Sequence, residues 1–206
     1  MLAFVPPNHK LVLEIGCGTG GFISSIPDCH ERWGIEPSNA GLAAREKLTH
    51  LLSAPFDDVK HQLPRKYFDL VICNDVIEHM IDHRAFLTEL REYIAPNGML
   101  IGSLPNILFY DTLFRLILEK DWKYTDAGIL DRTHLAFFTQ KSLREILDAT
   151  GYQVVSAEGI NPDHVVERTR KNFRYLRAAR MLSKVSLGYL SDIRYFQLAF
   201  QARPIG

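Results

Sequence analysis

Glycines and carboxylates near the amino terminus have the types and spacing that a ligand-binding turn requires. The segment LVLEIGCGTGGF at 11–22 places a short apolar run directly before Gly16, Gly18, Gly20 and Gly21. Glycine lacks a Cβ, so a backbone built from it can turn sharply and approach a ligand closely. The spacing Gly16-x-Gly18-x-x-Gly21 also satisfies the dinucleotide pattern G-x-G-x-x-G, which leaves NAD open as a ligand.

Two carboxylates flank this turn. Glu14 lies two residues before Gly16, where its charge would repel a pyrophosphate and attract the ammonium group of an amino-acid-like ligand. Glu36 ends the next apolar run, where carboxylate oxygens can accept hydrogen bonds from both hydroxyls of a ribose. The ribose role suits several nucleotide cofactors, so Glu14 is the feature that favours a ligand with an amino-acid portion.

A polar cluster, Asn74-Asp75-x-x-Glu78-His79, directly follows the apolar run YFDLVIC at 67–73. In an open parallel sheet, the carboxyl ends of the strands line the ligand crevice. We therefore expect this cluster to face the same site as the glycine-rich turn.

Apolar runs that alternate with helical patterns must position these residues. Strands are predicted at 10–15, 32–36, 50–54, 67–73, 99–104, 152–157 and 194–202. Helices are predicted at 20–26, 38–47, 83–94, 107–118 and 139–149. Strands that are each followed by a helix are typical of βαβ units with a parallel sheet covered on both faces. Residues 1–206 are predicted to form a single domain.

Composition excludes several classes of protein. The 24 basic and 24 acidic side chains give a formal net charge of zero, which argues against general nucleic-acid binding. No apolar run reaches the roughly 20 residues that span a bilayer, and the sequence before Pro6-Pro7 lacks the pattern of a secretory signal. Cys17, Cys29 and Cys73 lack metal-site spacing. A cytoplasmic protein without a transmembrane segment is predicted.

These residues resemble the class I S-adenosylmethionine-dependent methyltransferase family, in particular its methyltransferase type 11/23-like subgroup. The matching motifs are EIGCGTG at 14–20, GIEPS at 34–38, FDLVICNDVIEHM at 68–80 and APNGMLIGSLPN at 95–106. They span most of residues 10–106 in the expected order. The resemblance implies a Rossmann-like, doubly wound α/β fold, with a mostly parallel seven-stranded sheet, helices on both faces and a terminal antiparallel strand.

The resemblance also implies a set of cofactor contacts, with S-adenosylmethionine as the cofactor. The methionine end would lie against Glu14, Gly16, Cys17, Gly18, Gly20, Asn74 and Asp75. The ribose hydroxyls would bind Glu36, with Pro37 beside them, and the adenine would lie between Phe56 and Asp57. The chain departs from the family pattern just before this point, because Ala54-Pro55 stands where a Gly-Asp pair is common.

The reaction implied is O-methylation of a small molecule or a glycan. A hydroxyl acceptor benefits from a general base, and His79 and His134 qualify by location. Residues 105–138 are predicted to form a lid that binds the acceptor through Asn106, Tyr110, Trp122 and His134. An NAD-dependent oxidoreductase and a non-catalytic, methyltransferase-like scaffold are the alternative functions.

The polar cluster also permits a metal site. Asp75, Glu78 and His79, with His134, offer ligands that suit Mg²⁺ or Mn²⁺. Because aspartate at position 75 is shorter than the glutamate of an E-x-x-E-H arrangement, a site without metal is predicted.

The segment Arg168–Lys184 contrasts with the neutral total, because it carries seven basic residues and no acid. Such a stretch is typical of a solvated helix face or a homodimer contact, and it could also make a peripheral contact with anionic lipid.

Overall fold

The computed structural model describes residues 1–7, 9–164 and 169–205, and its centre is one seven-stranded sheet. The strands are β1 (Leu11–Ile15), β2 (Glu31–Ile35), β3 (His50–Leu52), β4 (Phe68–Asn74), β5 (Ile94–Pro105), β6 (Tyr152–Pro162) and β7 (Tyr195–Pro204). Their order across the sheet is β3-β2-β1-β4-β5-β7-β6. The pairs from β3 to β5 are parallel, and β7 runs antiparallel to β5 and β6. The predicted fold class is confirmed.

Most helices are short and occupy the connections between strands. The α-helices are α1 (Gly21–Ser24), α2 (Gly41–Ala44), α3 (Phe56–Val59), α4 (His83–Leu90), α5 (Tyr110–Phe114), α6 (Gln140–Ala149) and α7 (Arg170–Val185). A π-helix at Arg115–Glu119 continues α5, and 3-10 turns lie at Leu2–Phe4, Arg45–Lys47, Lys60–Gln62, Ile77–His79 and Ser191–Arg194. Within the described ranges, none of the helices is both long enough and apolar enough to cross a membrane.

Alternating side chains of the central strands bury two opposite faces of the sheet, as the period of two in a strand requires. Val12 of β1 packs with Ile23 of α1 on one face. Its neighbour Leu13 packs on the other face, in the cluster that includes residues of α3, α4 and α6. The helices thus cover both faces and leave the strand ends free to form a site.

Several element bounds differ from those predicted. The helix predicted at 38–47 is a single α-turn, α2, followed by a 3-10 turn, and the one at 107–118 changes to a π-helix after Phe114. The helix predicted to end at Ile94 ends at Leu90 instead. Ile94 already pairs with Phe68 as the first residue of β5. The pairing requires glycine at position 98, because a Cβ there would lie only 2.6 Å from the carbonyl oxygen of Phe68.

The last two helices both begin at a threonine cap, and the bounds of α6 agree closely with the helix predicted at 139–149. Thr139 caps α6 by accepting a hydrogen bond from the backbone N–H of Ser142, whose hydroxyl in turn accepts from the Thr139 N–H. In α7, Thr169 plays the same capping role toward Asn172. Arg168, the first residue of the predicted basic segment, lies outside the described residues.

Gly102 offers a direct test of the packing between β5 and its neighbours. A Cβ at this position would clash with the carbonyl oxygen of Cys73 and lie 2.8 Å from the Phe200 ring. We expect Gly102→Ala to lower the free energy of unfolding by about 1–3 kcal/mol, measured by urea denaturation. Gly21→Ala is the matched control, because the nearest atom to its Cβ would be 4.0 Å away. Equal stability of the two variants would contradict this packing.

Candidate active site

A cleft of about 850 Å³ opens at the carboxyl ends of β1, β2 and β4. Its walls combine apolar side chains with five carboxylates, one lysine and one imidazole, and ligand sites commonly pair apolar walls with a limited set of polar groups. The lining residues are Ile15, Gly16, Ile35, Glu36, Pro37, Pro55, Phe56, Asp57, Lys60, Asp75, Val76, His79, Met80, Ile81, Asp82, Ala85, Phe86 and Glu89. Asp75 and His79 of the polar cluster therefore face the same site as Gly16 of the glycine-rich turn, as the sequence predicted, whereas Asn74 and Glu78 do not line the cleft.

The glycine-rich turn is held against the end of β2. The backbone N–H groups of Gly16 and Cys17 both donate to the carbonyl oxygen of Ile35, at 2.8 and 3.1 Å. Gly16 has a φ of +69°, and a Cβ on it would lie 2.7 Å from Val76. The turn thus presents bare backbone to the cleft, where a side chain would fill the space.

The carboxylate of Glu36 stabilises the same turn through hydrogen bonds. One oxygen accepts a hydrogen bond from the Gly18 N–H at 2.8 Å, and the other accepts from the Ser38 N–H at 2.9 Å. A carboxylate has about four acceptor positions, so each oxygen keeps capacity for a further donor. The side chain lines the cleft and is only 8% exposed. It can therefore receive two neighbouring hydroxyl groups, as a ribose offers.

Glu14 is buried beneath the turn. Its carboxyl group accepts a hydrogen bond from the Ile23 N–H at 3.1 Å and another from the Asn74 side chain, and only 3% of the residue is exposed. Burial raises the pKa of Glu14 to about 8. A cation brought next to it would restore the charged form, so the site suits an ammonium group.

The two candidate catalytic histidines meet at one end of the cleft, with ring centroids 4.8 Å apart. Nδ1 of His79 lies 3.1 Å from the carbonyl oxygen of Thr133, and Nδ1 of His134 lies 2.9 Å from that of Ile129. A carbonyl oxygen can only accept, so both Nδ1 atoms carry the proton and donate it. In the neutral rings, both Nε2 atoms are therefore hydrogen-bond acceptors, and each can take a proton.

Glu78 lies behind these rings and is 1% exposed. Within the described residues, neither of its carboxyl oxygens accepts a hydrogen bond from another residue, and burial raises its pKa to about 8. Atoms of Glu78, His79 and His134 that could bind a cation lie within 4.8 Å of one another. The sequence-based expectation of a site without metal stays a prediction.

Gln197 is a polar residue at this site that the sequence analysis missed. Its side-chain N–H groups donate to both carboxylate oxygens of Asp75, at 2.7 and 2.9 Å, and its carbonyl accepts from the side chain of Asn161. Asp75 has a φ of +52°, so this clamp fixes a residue in an unusual backbone conformation. Gln197 lies far along the chain on β7, and no local motif marks it.

The structure separates the predicted site residues into three groups. Those that line the cleft are Gly16, Glu36, Pro37, Phe56, Asp57, Asp75 and His79, while Lys60, Met80, Ile81, Asp82, Ala85, Phe86 and Glu89 join them without having been predicted. Those that support it from below or beside are Glu14, Cys17, Gly18, Gly20, Asn74 and His134. Those that lie outside its lining are Asn106, Tyr110 and Trp122.

The three predicted residues outside the cleft lining contact other parts of the protein. The Asn106 side chain donates to the carbonyl oxygens of Asp192 and Tyr195, and the Tyr110 hydroxyl donates to that of His164. Trp122 lies against Phe137, with ring centroids 5.3 Å apart. The proposed part of Asn106, Tyr110 and Trp122 in acceptor binding stays a prediction.

Comparison with known families decides between the nucleotide cofactors. A family model described as a methyltransferase domain matches residues 2–157. The chain belongs to this methyltransferase family. Membership confirms the family resemblance seen in the sequence. It also confirms that the chain is a methyltransferase with S-adenosylmethionine as its cofactor, and it favours this class over an NAD-dependent oxidoreductase. The carboxyl groups and bare backbone described above fit that cofactor's ammonium and ribose groups.

Curated relatives are methyltransferases of small molecules by name. The ubiquinone biosynthesis O-methyltransferase of Vibrio atlanticus (strain LGP32) is 28% identical over 171 residues, 78% of this chain and 70% of that protein. The same enzyme of Bradyrhizobium diazoefficiens is 31% identical over 100 residues, 46% and 40% of the two chains. Trans-aconitate 2-methyltransferase of Escherichia coli (strain SE11) is 28% identical over 62% and 53%. The matches thus span 40% to 70% of these relatives' lengths.

Solved structures share the fold. A methyltransferase described as SAM-dependent from Archaeoglobus fulgidus superposes with a TM-score of 0.66 at 18% identity, over 95% of this chain and 86% of that one. A second, from Listeria monocytogenes, gives a TM-score of 0.64 at 17% identity, over 100% and 96%. At these identities the likeness supports the fold alone.

Replacement of Glu36 tests its role in holding the ribose. We expect Glu36→Ala to weaken binding of S-adenosylhomocysteine by about 1–3 kcal/mol, measured by isothermal titration calorimetry, because the ribose hydroxyls lose their acceptor. Glu46→Ala, on the 3-10 turn after α2, is the matched control and should bind normally. Unchanged affinity in Glu36→Ala would remove this carboxylate from the site.

The raised pKa of Glu14 predicts pH-dependent binding. Below about pH 8 the free protein holds this carboxyl group protonated, and it must lose the proton to pair with the ligand's ammonium group. Affinity for S-adenosylhomocysteine should therefore rise by up to about tenfold per pH unit toward pH 8 and then level off. Glu14→Gln should bind more weakly and lose this dependence, which calorimetry across the pH range would show. A flat wild-type profile would refute the assignment.

Proposed function

We propose that this protein transfers a methyl group from S-adenosylmethionine to an oxygen atom of a small molecule, with histidine as the general base. The observation that carries the proposal is the pair of imidazoles at the end of the cleft, whose Nδ1–H groups are fixed and whose Nε2 atoms can accept a proton. The family supplies the reaction class, and the relatives' names support a small-molecule acceptor.

Residues around the glycine-rich turn would hold the cofactor. Glu14 would pair with its ammonium group, the Gly16–Gly18 backbone would lie along its methionine portion, and Glu36 would accept from its ribose hydroxyls. Phe56 lines the cleft and is 5% exposed, so it offers a flat apolar surface for the adenine. When bound, the cofactor supplies a methyl group already activated on a sulfonium. The protein's own task is then to align the acceptor and manage its proton.

His79 is the better placed of the two imidazoles to receive that proton. It lines the cleft, whereas His134 is only 9% exposed and packs against it edge to face. We assign proton acceptance to Nε2 of His79 and the support of its ring to His134. The Nδ1–H group of His79 donates to the carbonyl oxygen of Thr133, so the tautomer with an acceptor at Nε2 is the one selected.

Segment 105–138 is proposed to cover the acceptor side of the cleft. Its last part supplies the two carbonyl oxygens that orient the histidines, from Ile129 and Thr133. The N–H groups of Leu135 and Ala136 both donate to the carbonyl oxygen of Glu78, at 2.8 and 3.1 Å. These bonds tie the segment to the 3-10 turn that carries His79, so a movement of the segment would also move the proposed base.

Activity against a panel of acceptors tests the proposed function. The purified chain is incubated with S-adenosylmethionine and small phenols, hydroxy acids, carboxylic acids or sugars, and release of S-adenosylhomocysteine is measured. Transfer to an oxygen of a non-sugar compound supports the proposal, while transfer only to sugars would establish the glycan alternative. Tight binding of S-adenosylhomocysteine with no transfer across the panel would favour the non-catalytic scaffold.

Removal of the proposed base should lower turnover without affecting the cofactor. We expect His79→Asn to reduce kcat for a hydroxyl acceptor by about 10²–10⁴-fold, because the imidazole assigned to take the proton is removed. Its affinity for S-adenosylhomocysteine should stay within about twofold of the wild type. His61→Asn, at an exposed position of the 3-10 turn after α3, is the control. Wild-type kcat in His79→Asn would exclude this histidine as the base.

A further inference from the structure

The outer face of α7 and the turn after it expose cations and large apolar side chains together. We call this the α7 surface. Its exposed cations are Arg170, Arg174, Arg177 and Lys184, and its exposed apolar residues are Phe173, Met181, Val185, Leu187 and Tyr189. The opposite side of the helix is buried through Asn172, Leu176, Ala179 and Ser183. The basic composition seen in the sequence is thus concentrated on a surface that faces solvent.

The exposed cations of the α7 surface have no carboxylate partner among the residues that the structure describes. Lys171 pairs with Glu119 and Arg180 pairs with Asp163, and both of these partners lie on neighbouring segments. Within the part of the chain that the structure describes, Arg170, Arg174, Arg177 and Lys184 form no ion pair with a carboxylate. Residues 169–190 contain no aspartate or glutamate at all. Among the described residues, this surface therefore presents four cations without a carboxylate partner, in a protein whose formal net charge is zero.

The turn after α7 exposes large apolar side chains to solvent and holds one of them in a strained backbone conformation. Leu187 is 96% exposed and Tyr189 86% exposed, and Leu187 has a φ of +51°. A non-glycine residue in this left-handed region is strained, and Leu187 gains no burial in return. Val185 and Met181, at 76% and 61% exposed, extend the apolar area back along the helix. Large exposed apolar side chains grouped on one helix and the turn after it are a common feature of interaction sites.

We propose that the α7 surface docks on an anionic lipid bilayer, with Leu187 and Tyr189 inserted at the headgroup boundary and the four cations over the lipid phosphates. A bilayer interface accepts both components at once, since it supplies negative charge at the headgroups and an apolar layer just below them. A second copy of this chain is a poorer match, because the same surface on both copies would bring eight cations together. No residue of the proposed catalytic machinery takes part.

Helix α7 packs onto the segment that follows β5. Leu176 and Ala179 pack against Phe109, Tyr110 and Phe114, which lie at and within α5. Helix α5 follows the carboxyl end of β5, the neighbour of the strand β4 that leads to Asp75 in the cleft. Helix α5 therefore packs against α7 and directly follows the strand next to β4.

Sedimentation with lipid vesicles tests the proposal. The full chain is mixed with vesicles of phosphatidylcholine alone or with about one third phosphatidylglycerol, at low and at high salt. We expect binding to the anionic vesicles only, with affinity that falls as salt rises. Arg174→Gln with Arg177→Gln should weaken this binding by about tenfold or more, because each basic residue near the surface contributes to the attraction. Leu187→Ser with Tyr189→Ser should weaken it independently of salt.

Matched controls separate docking from loss of structure. Arg84→Gln with Arg203→Gln removes two exposed cations elsewhere, and Leu42→Ser removes an apolar side chain that is 66% exposed on α2. Both controls should bind anionic vesicles like the wild type. The urea concentration at the midpoint of unfolding should be the same for all variants as for the wild type. Absence of binding at low salt would overturn the proposal, as would equal binding by the α7 and control variants. Self-association that the α7 variants abolish, without vesicle binding, would assign the surface to a second copy instead.

Discussion

The structure depends on the hydrogen bonds that join the end of β2 to the turn after β1. The carbonyl oxygen of Ile35 accepts from two N–H groups of that turn, and the carboxylate of Glu36 accepts from a third, on Gly18. These bonds require a backbone with positive φ directly after a buried strand, which glycine supplies at low cost. They bring the exposed backbone of the glycine-rich turn and the carboxylate of Glu36 together at the cleft. Most of the cofactor contacts proposed above follow from this junction.

Two carboxyl groups with raised pKa values lie close to this junction, and they have different surroundings. Glu14 accepts hydrogen bonds beneath the turn, so part of its desolvation is compensated. Glu78 has no such donor from another described residue and lies behind two imidazoles. Both carry the cost of burial in the free protein, which an incoming positive charge would relieve at Glu14. Buried carboxyl groups with raised pKa values next to a cleft support the interpretation of this region as a functional site.

Much of the fold could be predicted because its signals are local. Buried parallel strands appear in the sequence as short apolar runs. Thr139 and Ser142, three residues apart, form the cap that marks the start of α6. Predictions failed where distant packing outweighed a local signal. Pro96-Asn97-Gly98 indicates a turn, yet the chain there already belongs to β5, because Ile94 pairs with Phe68 across the sheet. Likewise, the sequence marks His79 and His134 separately, but only the folded segment 105–138 brings them together.

The clamp between Gln197 and Asp75 has a consequence for biosynthesis. The two residues are separated by 122 positions, and the strand β7 that carries Gln197 is inserted between β5 and β6. During translation, the parallel half of the sheet emerges from the ribosome first, and its edge at β5 stays open until β7 arrives. A nascent chain can therefore form the Glu36 side of the cleft early, whereas Asp75 receives the hydrogen bonds of Gln197 only after β7 has paired with β5 and β6. An unpaired strand edge is exposed throughout that interval, which is when a chaperone would have most to protect.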